Sequence, residues 1–130
     1  MSIATPEGYD VPWFIKSFAN MSNNCTWHKN PRDALKDANV IITDTWVSMG
    51  TENEKMKRLQ DFQGFRITRK LIEDAGADQN WKFMHCLPRK QEEVDDDVFY
   101  DQTRSLVWQE AANRKTSIMA VYEKVMNINH

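Results

Sequence analysis

Short apolar runs alternate along this chain with longer stretches of helical spacing, the pattern of an α/β protein with a mainly parallel sheet. Residues 2–5 predict a short strand ended by Pro6, with Gly8 making the turn. Residues 11–20 have helical spacing, with Trp13, Phe14, Phe18 and the adjoining Met21 set to face a core. A second short strand is expected over residues 25–28, followed by Asn30 as a helix cap and Pro31 as the first helical residue. That helix, residues 31–38, would bury Ala34, Leu35 and Ala38. Residues 40–47 form a β-branched, almost unbroken run, as expected of a strand buried on both faces of a parallel sheet. Ser48-Met49-Gly50 ends it.

Helical spacing returns over residues 51–62, with Met56, Leu59 and Phe62 apolar, and over residues 67–75, which stop at Gly76. Residues 81–87 predict another strand, terminated by Pro88. An acidic turn or helix follows at 92–99, then a strand fragment at 105–108. The last element is an amphipathic helix over 110–125, carrying Ile118, Met119, Val121, Tyr122 and Val125. Neither a linker nor an internal repeat is visible.

Composition sharpens the class. The chain has 130 residues, 41% hydrophobic and 28% charged, with four Gly and four Pro, which excludes collagenous, low-complexity and strongly disordered classes. Seventeen basic and nineteen acidic residues give a net charge of −2, without the basic excess of a nucleic-acid footprint. Two cysteines, Cys25 and Cys86, make no disulfide framework and fit a reducing compartment. No apolar run approaches the ~18 residues of a membrane helix. The first residues lack the basic start and apolar stretch of a secretory signal.

Two strand ends collect the reactive side chains. Ligands of open α/β sheets bind beyond the carboxyl ends of the strands. Asp44 and Ser48-Met49-Gly50 follow one strand, and His85-Cys86-Leu87-Pro88-Arg89 another, so both fall on one edge. A carboxylate, a thiol and an arginine there suit a small charged substrate. Each also has an ordinary role. Asp44 reads equally as a turn acid capping the next helix. A cysteine in an apolar strand is usually an inert buried thiol. Arg89 and Lys90 after a proline are usually solvated, and the acidic run 92–97 usually faces water at a helix start. His85 and Cys86 alternate, so only one of them can point to a given side. Cys25, His28, His85 and Cys86 lack zinc-ligand spacing. A Cys-His nucleophile lacks a third orienting group, and no Gly-rich phosphate cradle is present. Spacing alone leaves a binding site of unknown ligand.

The words themselves go further. Asp44-Thr45-Trp46-Val47-Ser48-Met49-Gly50 resembles the ornithine-binding signature of the ornithine carbamoyltransferases, and His85-Cys86-Leu87-Pro88-Arg89 resembles that family's second signature. The likeness runs from Ala4-Thr5-Pro6 through Phe62-Gln63-Gly64 to Glu110 and Asn113-Arg114. It implies a three-layer, Rossmann-like α/β domain with a mainly parallel sheet, and transfer of a carbamoyl group from carbamoyl phosphate to the δ-amine of L-ornithine, giving citrulline. It further implies that Asp44, Ser48 and Met49 hold ornithine, and that Cys86 is the catalytic thiol. Cys86, Leu87 and Arg114 would meet carbamoyl phosphate.

The resemblance implies neither cofactor nor metal, since carbamoyl phosphate is already activated. It implies a homo-oligomer, a trimer for the complete chain, and residence in the cytoplasm or, for a longer eukaryotic precursor, the mitochondrial matrix. Partners in nucleic acid or membrane are not expected. Ala112 stands where the family usually has an acid. The family's first domain, with its Ser-Thr-x-Arg-Thr and His-Pro-x-x-Gln words, has no counterpart in these residues, nor does the opening strand and helix of its ornithine domain. The 130 residues are therefore expected to be an incomplete ornithine-binding domain, inactive alone. The alternative expectation is a non-catalytic ornithine-binding or interaction module derived from the same family.

Overall fold

Asn30 and Pro31 show how directly local chemistry sets the elements. In the computed structural model, which describes residues 1–21, 24–48, 50 and 52–126, the Asn30 side chain accepts the Arg32 N–H at 2.9 Å and caps α2, Pro31–Leu35. The other helices are α1 (Trp13–Met21), α3 (Lys55–Asp61, after a 3₁₀ turn at Glu52–Glu54), α4 (Arg69–Ala75), α5 (Asp96–Phe99) and α6 (Val107–Val125). Thr68 caps α4 through the Leu71 N–H, and Gly76 closes it with φ of 76°, a left-handed value that favours glycine. The side chains at 18–21 and 52 fall outside this description, as does Met49, so the expected packing of Phe18 and Met21 lies outside it too.

Among the described residues, four short strands make two parallel pairs. β1 (Ser2–Ala4) pairs with β2 (Thr26–His28), and β3 (Val40–Thr43) with β4 (Lys82–His85) in the register Ile41 to Phe83 and Thr43 to His85. Single parallel bridges add Ile67 to Val94 and Ser105 to Phe83. Among the described residues no strand joins the two pairs. A groove of about 550 Å³ runs between them, lined by residues of β1 and β3 with Phe62 and Phe65. Thr5 N–H and Met1 C=O bond to β2, and Asn39 C=O to β4. By the alternation of a strand, Ser2 and Ala4, and likewise Val40 and Ile42, turn their backbone groups to the groove.

The core lies on one side of β3 and β4. Ile41, Ile72, Trp81, Phe83, Val94, Val98, Phe99 and Val107 form one buried cluster with Leu35 and Ile67. Three expectations are corrected here. The run 40–47 is a strand only over its first four residues, and it is not covered on both faces: Val40 is 50% and Ile42 66% exposed. A strand buries both faces only when helices lie on each, and only the Ile41 face is packed into the cluster. The fragment 105–108 contributes a single rung: Leu106 donates its N–H to the Phe83 carbonyl and then receives the Glu110 N–H, so the chain turns helical three residues earlier than expected. Residue 67 belongs to a bridge, and its helix starts at Arg69. The helix faces expected to be apolar are so, but in α1 Trp13, Phe14 and Ile15, and in α6 Ile118, Met119, Val121, Tyr122 and Val125, are all exposed.

One electrostatic knot braces this layer. Asp101 accepts from the Arg69 guanidinium at 2.8 Å, from the Thr103 N–H and hydroxyl, and from the Arg104 N–H. The Arg69 bond, chiefly, then the Thr103 and Arg104 bonds, hold its carboxyl far below the usual range despite partial burial. A folded pKa below the unfolded one contributes stability that is complete above the ordinary carboxylate pKa, and is lost as pH falls toward the folded value. Thermal melts should therefore drop steeply below about pH 4, and Asp101→Asn should melt lower at pH 7 yet lose less on acidification. A variant whose pH dependence parallels the parent's would show the knot to be inert.

Candidate functional site

β3 and β4 end side by side because they are parallel and in register, so the residues following Thr43 and His85 emerge together. Asp44 and Cys86 are those residues. The Cys86 thiol donates to Asp44 Oδ1 at 2.7 Å, and the Thr45 N–H donates to the same oxygen at 2.6 Å. Both side chains belong to exposed residues. Strand alternation accordingly sends His85 inward, where it is 1% exposed, and Cys86 outward.

The thiol is held protonated. Local desolvation pushes the Cys86 pKa up, the hydrogen bond to Asp44 and the charges of Asp44 and Glu110 push further, and the Thr45 N–H opposes them. A carboxylate and a thiol, rather than a thiolate, thus stand at this edge in the unliganded chain. The pair has the chemistry to receive a cation: an ammonium placed here would replace the thiol hydrogen as the partner of Asp44.

Leu87 follows with φ of 58°, uncommon for a non-glycine residue. Its N–H donates to His85 Nδ1 at 2.9 Å, which fixes that backbone and places the imidazole proton on Nε2. Cys86, Leu87, Pro88 and Arg89 line a cavity of about 660 Å³ together with Phe99, Trp108, Ala111 and Arg114. Glu110 accepts the His85 N–H at 3.0 Å, pinning the first turn of α6 to the end of β4, and Arg114 lies one turn further on. The expected carbamoyl phosphate residues Cys86, Leu87 and Arg114 therefore share one cavity. Ser48 is exposed at the end of the β3 loop. Trp46, between Asp44 and Ser48, is buried and stacks on Phe62 with centroids 5.2 Å apart, while Arg58 donates to its carbonyl.

Two residues expected to be solvated are not. The Arg89 side chain is 10% exposed, donates to Val94 C=O and Asp96, and lies 5.0 Å over the Phe99 ring. Glu93, placed in a water-facing acidic run, is 0% exposed. Its carboxylate accepts the Thr45 hydroxyl (2.8 Å), the Trp46 N–H (3.0 Å), His85 Nε2 (3.0 Å) and the Lys90 N–H (2.8 Å). Burial raises its pKa, but those four donors, His85 first, outweigh burial and leave it below the ordinary value. No spacing rule marks Glu93. The available signal was its complement: an imidazole in an apolar strand needs a partner, and the acidic run just past Pro88 is the nearest source.

Among the described residues no cluster of three or more His, Cys, Asp or Glu is arranged to hold a metal ion, and no helix is long and apolar enough to cross a membrane. A site built from one carboxylate, one thiol and a neighbouring arginine can bind a cationic amine beside an anion.

Comparison with known proteins meets this geometry. Residues 1–125 match the family described as "Aspartate/ornithine carbamoyltransferase, Asp/Orn binding domain". The mitochondrial ornithine carbamoyltransferase of Coccidioides immitis is 47% identical over 95% of this chain and 37% of its own length. That of Aquarana catesbeiana is 51% identical over 93% of this chain and 35% of its own. The solved structure of the Pyrococcus furiosus ornithine carbamoyltransferase superposes with a TM-score of 0.85 at 38% identity, covering 99% of this chain and 42% of that one. The α/β fold with short parallel strands is thus shared with those enzymes. The chain spans little more than a third of the length of the curated relatives it matches. With nearly its whole length matched by one family, the chain belongs to the aspartate/ornithine carbamoyltransferases, within their Asp/Orn-binding domain.

Proposed function

We propose that this chain supplies the ornithine-binding part of an ornithine carbamoyltransferase, an enzyme that moves the carbamoyl group of carbamoyl phosphate onto the δ-amine of L-ornithine to give citrulline and phosphate. The observation that carries the reading is the 2.7 Å pairing of Asp44 with Cys86 where two parallel strands end. Asp44 would receive the δ-ammonium, with Ser48 and Met49 on the loop beyond it closing on the rest of ornithine. An amine attacks only when neutral, so the group must lose a proton as it reacts; a carboxylate and a thiol at the amine give that proton a short route. Cys86 and Leu87 would present the carbamoyl group, and Arg114 would supply donors to its developing oxyanion or to phosphate. Positioning and charge stabilisation account for the chemistry without a cofactor. The mitochondrial names of several relatives support a matrix location. The apolar strips left exposed on α1 and α6 support association with further protein, a homo-oligomer included.

The test is a citrulline assay. The pure 130-residue chain, given ornithine and carbamoyl phosphate, is expected to form no citrulline, because Arg114 would meet carbamoyl phosphate without the family's Ser-Thr-x-Arg-Thr and His-Pro-x-x-Gln words, which have no counterpart among these residues. Adding, as a separate polypeptide, the remaining part of a related carbamoyltransferase is expected to start turnover. Turnover by the lone chain would overturn the expectation of inactivity. Silence after complementation, with ornithine still binding in calorimetry, would instead favour a non-catalytic ornithine-binding module.

A further inference from the structure

We infer that Glu93 is a positioning residue that locks the two strand-end loops to each other and so holds Asp44 against Cys86. Its two oxygens divide the work. Oε1 takes the Thr45 hydroxyl and the Trp46 N–H, the two residues directly after Asp44. Oε2 takes His85 Nε2 and the Lys90 N–H, which bracket Cys86 on its own loop. One buried carboxylate therefore receives two donors from each side of the site, from segments 48 and 47 residues apart at Thr45 and Trp46 and 8 apart at His85.

The imidazole extends the lock. Because Nδ1 accepts the Leu87 N–H, the proton sits on Nε2 and must find an acceptor inside the protein, and Glu93 is that acceptor. Glu93 thus also fixes the ring that holds Leu87 at its positive φ. Hydrogen bonds to a buried charge are stronger than neutral ones, and a four-donor arrangement leaves the carboxylate little freedom to move. As a device for a transferase site the lock rests on the reading above, but the coupling it predicts is measurable without substrate.

The reporter is the thiol. Asp44 and Glu110 are the acidic groups acting on Cys86, and Arg89 and Arg114 line the same cavity. If Glu93 keeps Asp44 in place, loosening Glu93 frees the thiol from Asp44 and makes it react at lower pH. The rate of Cys86 alkylation by iodoacetamide is measured from pH 6.5 to 10 in a Cys25→Ser background, with a thermal melt for each variant. Asp44→Asn is expected to raise the rate at pH 8 about threefold or more, by removing the acceptor of the thiol proton and its charge. Glu93→Gln, which cannot accept all four donors, and Thr45→Val, which removes one donor on the Asp44 side, should shift in the same direction. Asp44→Asn combined with Glu93→Gln should react no faster than Asp44→Asn alone. An additive double variant would show Glu93 acting independently of Asp44, and parental profiles for both Glu93→Gln and Thr45→Val would overturn the lock. Should Glu93→Gln fail to fold, Thr45→Val alone and combined with Asp44→Asn decide the question by the same criteria. Failure of the citrulline test would leave these outcomes unchanged, so the two ideas stand or fall separately.

Discussion

Asp44→Asn, in an enzyme completed by the remaining part of a related chain, should lower kcat/KM for ornithine about ten- to a hundredfold while leaving the KM for carbamoyl phosphate within about twofold. The magnitude follows from losing a charged hydrogen-bond acceptor for an ammonium, worth ~1.5–3 kcal/mol. Asparagine keeps the shape and can still accept the Thr45 N–H, so the backbone turn after β3 survives. What goes, on the function proposed above, is the charge that would face the δ-ammonium. Asp44 is exposed in the unliganded chain, so its replacement carries little folding cost. Steady-state kinetics with each substrate varied in turn make the check, and equal losses for both substrates would mark Asp44 as structural.

Phe83→Ala should be the most damaging single truncation to the fold, costing ~3–5 kcal/mol and lowering the melting temperature by roughly 10–20 °C. Phe83 is fully buried, sits mid-way along β4, and packs edge-on to Phe99 with centroids 6.4 Å apart. Its backbone is equally committed, receiving Leu106 and donating to Arg104. β4 is also the strand that delivers Cys86. Ile42→Ala, on the open face of the neighbouring strand, should cost under about 0.5 kcal/mol by comparison. Thermal and urea denaturation of the two variants give the contrast, and similar losses at both positions would mean the Ile42 face is packed after all.

The element order was legible because punctuation and periodicity agreed: Pro6, Asn30-Pro31, Gly76 and Pro88 each end or begin an element where expected. The two strand ends could be paired from sequence because parallel strands with helical crossovers bring their carboxyl ends to one edge. What the residues concealed was burial. Val40 and Ile42 look like core in a β-branched run, yet burial depends on what lies over a face, which a one-dimensional pattern does not record. Arg89 and Glu93 look like surface by residue type, yet Arg89 is drawn in by the Val94 carbonyl and Asp96, and Glu93 by donors from the loop at Thr45 and Trp46. Strand and helix follow from neighbours in sequence, whereas a buried charge follows from neighbours in space.

The gap between β1 and β3 bears on how the molecule comes apart. Hydrogen-bonded sheet ladders are what usually make strands melt as one, and among the described residues no ladder runs between the two pairs. α2 is the element that bridges them, packing on β1, β2 and α4. Side-chain packing through this five-residue helix and through Tyr9, which bonds to Asp61 and packs on Phe62, is a looser linkage than a continuous ladder. The β1–β2 pair is therefore expected to open at lower free energy than the β3–β4 layer bearing Asp44 and Cys86. Unfolding followed by a probe on Trp27 and by one on Trp81 would then trace two transitions rather than one.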